Sequence, residues 1–252
     1  KYHIDFDALK DRLKVDAEIG AICVSRPTNP SGNVLTDEEI FRLDEIAREH
    51  GIPLLLDNAY GTPFPDLIFQ DVTPIWNENP VVAMSLSKIG LPGVRTGIMI
   101  ASEEIVSAVS AGNAVMSLAN GAVGQVLVEP MLRSGELLKL SREVIRPYYI
   151  KKSRDAQEWV RSYFGSDIPY SLHRSEGSLF LWLWFKELPI TTKDLYQRLK
   201  KRNVIVVPGE YFFFGTEEEW DHRHQCIRMN YSQAPEDVEQ GIALIAEEAR
   251  SL

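Results

Sequence analysis

Four short apolar runs in the first hundred residues constrain the fold more than any other feature of this chain. They span 19–25, 52–56, 81–84 and 98–101. Each is the length of a strand rather than of a buried helix, and the first is rich in β-branched residues. Between the first two lies a helix with its start and stop written in the sequence. Thr36-Asp37-Glu38-Glu39 is a capping box; Ile40, Leu43, Ile46 and Ala47 recur on one face; Gly51 ends it. Strands that are apolar on both faces and separated by a helix or a long crossover predict a mostly parallel sheet covered on both sides, an α/β fold. In such sheets ligands gather beyond the carboxyl ends of the strands. Asn29, Asp57 and Lys88 each stand just past the end of a run. The topology therefore predicts that three loops distant in sequence converge on one crevice.

The rest of the chain changes character part-way. Residues 6–13 predict a short amphipathic helix. From 102 to about 140 the pattern is helical, opened by Ser102-Glu103-Glu104, and the small residues of 119–124 predict the start of a second helix or a close packing contact. A long amphipathic helix is expected over 141–164, kinked by Pro147. Beyond it come a strand at 177–185, a helix at 192–202, strands at 204–207 and 225–231, and a helix at 235–249 with Pro235 in its first turn. That order predicts two domains, a large one over 1–145 and a small α+β one over 146–252.

Composition narrows the function classes. The 252 residues are 44% apolar and 25% charged, with a formal net charge of −9, which argues against a general nucleic-acid binder. No apolar run approaches the length of a membrane span. The opening Lys1-Tyr2-His3-Ile4-Asp5 lacks the pattern of a secretory leader and reads as the middle of a longer sequence. Cys23 and Cys226 fall inside apolar runs and are expected to be buried, reduced thiols, in keeping with a cytoplasmic home. His222-Arg223-His224 is expected to be a solvated loop rather than a metal site, and Glu217-Glu218-Glu219 a solvated loop or helix end.

The chemistry concentrates in Ser85-Leu86-Ser87-Lys88-Ile89-Gly90-Leu91-Pro92-Gly93-Val94-Arg95-Thr96-Gly97. A lysine just beyond a buried strand can be desolvated, which favours the neutral, nucleophilic amine. Ser85, Ser87 and Arg95 offer hydroxyls and a guanidinium fork suited to a phosphate. With the carboxylate of Asp57, the phenol of Tyr60 and the amide of Asn29 added, the set suits a planar heteroaromatic cofactor that carries both an aldehyde and a phosphate.

Asn29-Pro30-Ser31-Gly32, Asp57-Asn58-Ala59-Tyr60 and the stretch from Ser85 to Gly97, in this order, resemble the motif set of class I/II aminotransferases. Those are fold-type-I enzymes dependent on pyridoxal 5′-phosphate. Within the family, Phe180-Leu181-Trp182-Leu183-Trp184-Phe185 and Cys226-Ile227-Arg228-Met229-Asn230-Tyr231 are most similar to members acting on valine and pyruvate. The resemblance implies a large-domain sheet, present here only in its C-terminal part, followed by a small α+β domain. It makes Lys88 the Schiff-base lysine and proton carrier. Asp57 would keep the ring nitrogen protonated, and Tyr60 and Asn29 would bind the ring hydroxyl. Ser85, Ser87 and Arg95 would hold the phosphate. Arg228, with Asn29, would bind the substrate carboxylate, and Pro208-Gly209 with residues 211–214 would form an apolar lid. The implied reaction is transamination between a small aliphatic amino acid, of valine or alanine type, and a 2-oxo acid such as pyruvate. A β-lyase or decarboxylase on the same scaffold, or the sensor domain of a transcriptional regulator, are the other activities compatible with these motifs. Family members form homodimers and carry a further N-terminal stretch, which supplies backbone N–H groups to the phosphate and an aromatic ring over the cofactor. The Lys88-to-Arg95 spacing is one residue shorter than in many of them.

Overall fold

The computed structural model describes residues 1–119, 121–215 and 220–252. Glu217-Glu218-Glu219 lie outside the described residues. The chain divides into two compact units. The first comprises Tyr2–Thr28 and Val34–Pro147; the second comprises Lys1, Asn29–Asn33 and Tyr148–Leu252.

In the first unit, strands β1 (Ile22–Ser25), β2 (Leu54–Asp57), β3 (Pro80–Ser85) and β4 (Gly97–Ile100) lie side by side in that order. β1, β2 and β3 are parallel, with Ser25, Asp57 and Ala83 level at their carboxyl ends. β4 runs antiparallel to β3. Residues 86–96 are too few for a crossover helix, so the chain turns back on itself. That turn holds Lys88 and Arg95.

Helices α1 (Phe6–Val15) and α2 (Asp37–Glu49) bring Leu13, Ile40, Leu43 and Ile46 into one core with Ile22, Leu54 and Leu56 of the sheet. The capping box at the start of α2 is complete: Thr36 Oγ1 accepts from the Glu39 N–H and Glu39 returns a bond to the Thr36 N–H. The opposite face of the sheet is less covered than the apolar runs predict. Cys23 alternates away from Ile22 and Val24 on the edge strand and is exposed, whereas Cys226 is buried; neither is in a disulfide. Helices α3 (Glu103–Ser117), α4 (Val123–Ser134) and α5 (Glu136–Leu140) follow. Val128 of α4 and Leu137 of α5 join Phe64, Met84 and Leu86 in a second cluster.

The long helix expected from 141 begins with a π-helical turn, Ser141–Ile145, and becomes α6 at Arg146–Phe164. Pro147 lies inside a run that is helical without a break from Glu136, directly after the π-helical turn, where the wider turn accommodates its missing N–H.

In the second unit the sheet order is β5 (Tyr170–Leu172), β6 (Phe180–Phe185), β8 (Cys226–Asn230), β7 (Val207–Pro208), all antiparallel. Leu181, Leu183 and Phe185 of β6 and Ile227 and Met229 of β8 share one face. They pack on α6, α7 (Thr192–Lys201) and α8 (Pro235–Arg250) through Val160, Phe164, Leu195, Leu199, Ile242 and Ile245. The other face carries Phe180, Trp182, Trp184, Cys226 and Arg228, paired across the ladder. The strand expected over 204–207 shrinks to Val207–Pro208, because Asn203 sits at a positive φ of 61° and Ile205 is exposed.

His222-Arg223-His224 is not a solvated loop. It lies in a 3-10 turn, Asp221–His224, with His222 buried. The imidazole stacks on Trp220 with centroids 4.6 Å apart and meets Trp184 edge-on at 4.7 Å. A ring that pairs with aromatic neighbours belongs with them rather than in water. Among the described residues, no helix is long and apolar enough to cross a membrane, and no group of His, Cys, Asp and Glu is arranged to hold a metal ion.

Candidate functional site

In the first unit the chemistry gathers past the carboxyl ends of β2 and β3. At the end of β2 the Asp57 carboxylate accepts from the Ala59 N–H at 3.1 Å, turning the chain sharply. The Asn58 N–H reaches back to the Ala83 carbonyl at 2.8 Å, which ties this turn to β3. Gly61 is required there, since a Cβ would stand 2.7 Å from the Arg26 carbonyl as well as 1.8 Å from Asn58 Oδ1. Tyr60, partly buried, presents its ring to Lys88, with Nζ 5.4 Å from the centroid. An ammonium over a phenol face is a favourable pairing.

Lys88 itself sits in a 3-10 turn, Leu86–Ile89. Ser85 Oγ caps this turn by accepting from the Ser87 N–H at 3.1 Å, and Gly90 ends it at φ 104°. Arg95 returns to the same turn: its Nη1 donates to Ser87 Oγ at 3.4 Å and to the Pro92 carbonyl at 3.2 Å. The Leu86 N–H bonds the Thr96 carbonyl at 3.1 Å and closes the loop. In these bonds both serine hydroxyls act as acceptors, so their O–H groups can still donate to an anion. The donor set is thus two hydroxyls, a guanidinium and an amine, with a carboxylate on the neighbouring strand. That chemistry fits a cofactor with a phosphate, an aldehyde and a basic ring nitrogen.

Asn29 and Arg228 belong to the second unit and are in direct contact. Arg228 Nη1 donates to Asn29 Oδ1 at 2.8 Å. The guanidinium carbon lies 5.0 Å from the ring centroids of both Phe180 and Phe212. Residues 29–33 are fixed to this unit by several bonds. The Glu176 N–H donates to the Gly32 carbonyl at 3.0 Å, and Asn33 Nδ2 donates to the Arg174 carbonyl at 2.9 Å. Gly32 has φ 68°, and a Cβ there would stand 3.1 Å from the Gly177 carbonyl. With the Asn33 amide oriented by that bond, its Oδ1 faces His173 Nδ1 at 3.5 Å. Burial, with His222 adding to it, pushes the His173 pKa down to about 4. Burial lowers the pKa of His222 as well.

The motifs in the sequence marked Phe212 only as part of an apolar lid and did not single out Phe180, His173 or His222 as functional. Phe180 and Phe212 reach Arg228 through strand register and through a turn, neither of which leaves a local pattern.

Residues 1–245 match the sequence model of the aminotransferases of class I and II. The chain belongs to this family. It is 51% identical over 248 residues to the valine–pyruvate aminotransferase of Escherichia coli K12, a match covering 98% of this chain and 58% of that protein. The crystal structure of valine–pyruvate aminotransferase from Salmonella typhimurium superimposes with a TM-score of 0.93 at 49% identity, over 99% of this chain and 63% of the other. A more distant relative is the HTH-type transcriptional regulator NorG of Staphylococcus aureus, 28% identical over 82% of this chain and 45% of the regulator. The fold is that of the fold-type-I aminotransferases, with a mostly parallel sheet followed by an α+β unit. The chain spans about three-fifths of the length of the aminotransferases it matches.

Proposed function

We propose that this chain carries the lysine, the phosphate-binding residues and the carboxylate-binding arginine of an aminotransferase that moves an amino group between a small aliphatic amino acid, of valine or alanine type, and a 2-oxo acid such as pyruvate. What supports the reading most is the 51% identity to an enzyme named for valine and pyruvate, running through both units. The grouping of Lys88, Tyr60, Ser87 and Arg95 at the strand ends supports it independently.

Pyridoxal 5′-phosphate, when bound, supplies the aldehyde that captures the substrate amine and the ring that draws electrons from Cα. Ser85, Ser87 and Arg95 would donate to its phosphate. Asp57 would hold the proton on the ring nitrogen, and Tyr60 and Asn29 are the residues proposed for the ring hydroxyl. Lys88 Nζ would anchor the cofactor and, as a free amine, would carry the proton of the substrate Cα. Arg228 receives the substrate carboxylate, with Asn29 steering the guanidinium. The half-reactions alternate, so the kinetics are ping-pong. The reading brings with it a homodimer and a cytoplasmic home.

The test is product analysis with valine and pyruvate in the presence of the cofactor. Alanine and the matching branched 2-oxo acid, formed in equal amounts, are expected. Carbon dioxide or ammonia as the main product would replace this reading by a decarboxylase or a lyase. Lys88→Ala should lower turnover by roughly a hundred- to ten-thousand-fold. Unchanged turnover would remove Lys88 from the proposed role.

A further inference from the structure

The turn after β7 does more than cover the sheet. Gly209–Phe212 forms a 3-10 turn, and Gly209 has no room for a side chain, since a Cβ would stand 2.7 Å from the Arg223 carbonyl. Phe212, the last residue of the turn, and Phe213 after it point to different tasks. Phe212 lies over Arg228 at 5.0 Å and meets the fully buried Trp182 edge-on at 5.6 Å. Phe213 meets Trp220 edge-on at 5.3 Å and His222 at 5.9 Å. His222 then stacks on Trp220, meets Trp184 of β6, and places Nε2 3.4 Å from Cys226 Sγ on β8. The imidazole thus joins Phe213, the residue directly after the turn, and Trp220 to both central strands of this sheet.

We propose that His222 and Phe212 are positioning residues for Arg228. His222 is the keystone that holds the Phe212–Phe213 pair on the sheet, and Phe212, which like Phe180 lies 5.0 Å from the guanidinium carbon, fixes the plane of the guanidinium. Guanidinium N–H groups donate in the plane of the group, so the two rings direct a carboxylate to the rim, beside Asn29. A neutral imidazole suits this place, because it brings no second cation close to Arg228. The inference rests on Arg228 being the carboxylate-binding residue of the proposed reaction.

The experiment compares Arg228→Ala, Phe212→Ala, Phe212→Tyr, His222→Gln and His222→Phe with the parent, each supplied with pyridoxal phosphate. Phe212→Ala should raise KM for both valine and pyruvate about fivefold to tenfold, with kcat within about twofold. Titrating pyruvate against tryptophan emission should show the same weakening without turnover. Phe212→Tyr and His222→Phe, which keep an aromatic ring, should restore most of the affinity. His222→Gln should raise KM like Phe212→Ala, and the double variant should be no worse than Phe212→Ala alone, because one residue acts through the other. KM within twofold of the parent in Phe212→Ala, with KM raised in Arg228→Ala, would overturn the inference and leave the proposed reaction standing. Effects that add in the double variant would also overturn it. Unchanged KM in Arg228→Ala would remove the proposed role of Arg228 and this inference with it.

Discussion

Arg95 holds a backbone conformation, φ 46° and ψ 46°, that costs a residue with a side chain about 1–2 kcal/mol. A glycine would adopt it freely, and two stand nearby in the same loop. Keeping arginine there is explained if its guanidinium is needed beside Ser87. Arg95→Gly should therefore leave thermal stability unchanged or higher while weakening binding of pyridoxal phosphate about tenfold or more. Unaltered cofactor affinity would detach Arg95 from the phosphate. His173 makes a second prediction, in pH. Its pKa of about 4 in the folded protein lies below the ordinary 6.5, so the unfolded chain takes up the proton first. Stability is then full above pH 6.5 and falls as the pH drops toward 4, with a slope of at most about 1.4 kcal/mol per pH unit from this group. His222, shifted the same way, adds to it. Melting temperatures measured from pH 7 to 4.5 should fall less steeply in His173→Gln than in the parent; identical slopes would contradict the assignment. At this scale the sequence exposes residues whose chemistry is rare in a loop, such as Lys88, Asp57 and Arg95. It offers Phe212 only as part of an apolar lid and does not show its contact with Arg228, because an aromatic ring looks alike in a core and over a guanidinium.

Helices and strands follow their local signals where those signals are complete. Thr36 and Glu39 start α2 as the capping box requires, and Thr36→Ala should cost about 1 kcal/mol in denaturant unfolding without touching the candidate site. Gly124 of α4 is different, because it is a packing residue. A Cβ there would stand 2.2 Å from Thr96 Oγ1 and 2.9 Å from Val94 Cγ2, the two neighbours of Arg95. Gly124→Ala should destabilise by about 1–3 kcal/mol through overpacking and, by displacing Arg95, weaken cofactor binding where Thr36→Ala does not. Equal affinity in the two variants would show that α4 does not brace the loop. The small-residue segment signalled such a contact before its partner was known. The direction of β4 was not legible from its apolar residues, since direction is set by the short connection before it. Cys23 escaped burial for a related reason: an apolar run does not say which face of an edge strand is covered. β7 ended at two residues because an exposed Ile205, just after a left-handed Asn203, breaks a run that composition alone makes look continuous.

At the scale of the whole molecule, the order of the motifs carried more than any one of them. Each of Asn29, Asp57, Lys88 and Arg228 alone reads as a turn residue, a cap, a surface lysine or a structural cation. Their succession along an alternating strand-and-helix pattern is what made the family legible before the fold was known. In the structure Asp57, Tyr60, Lys88, Ser85, Ser87 and Arg95 lie in the first unit, and Asn29 and Arg228 in the second. The central claim is that the amine of Lys88 is the covalent anchor of the cofactor. The direct measurement is to add pyridoxal phosphate, follow the visible absorbance, reduce with borohydride and map the modified lysine by mass spectrometry of a digest. The account predicts one label per chain, on Lys88, and none in Lys88→Ala. Label spread over many lysines, or placed on another such as the buried Lys152, would contradict it.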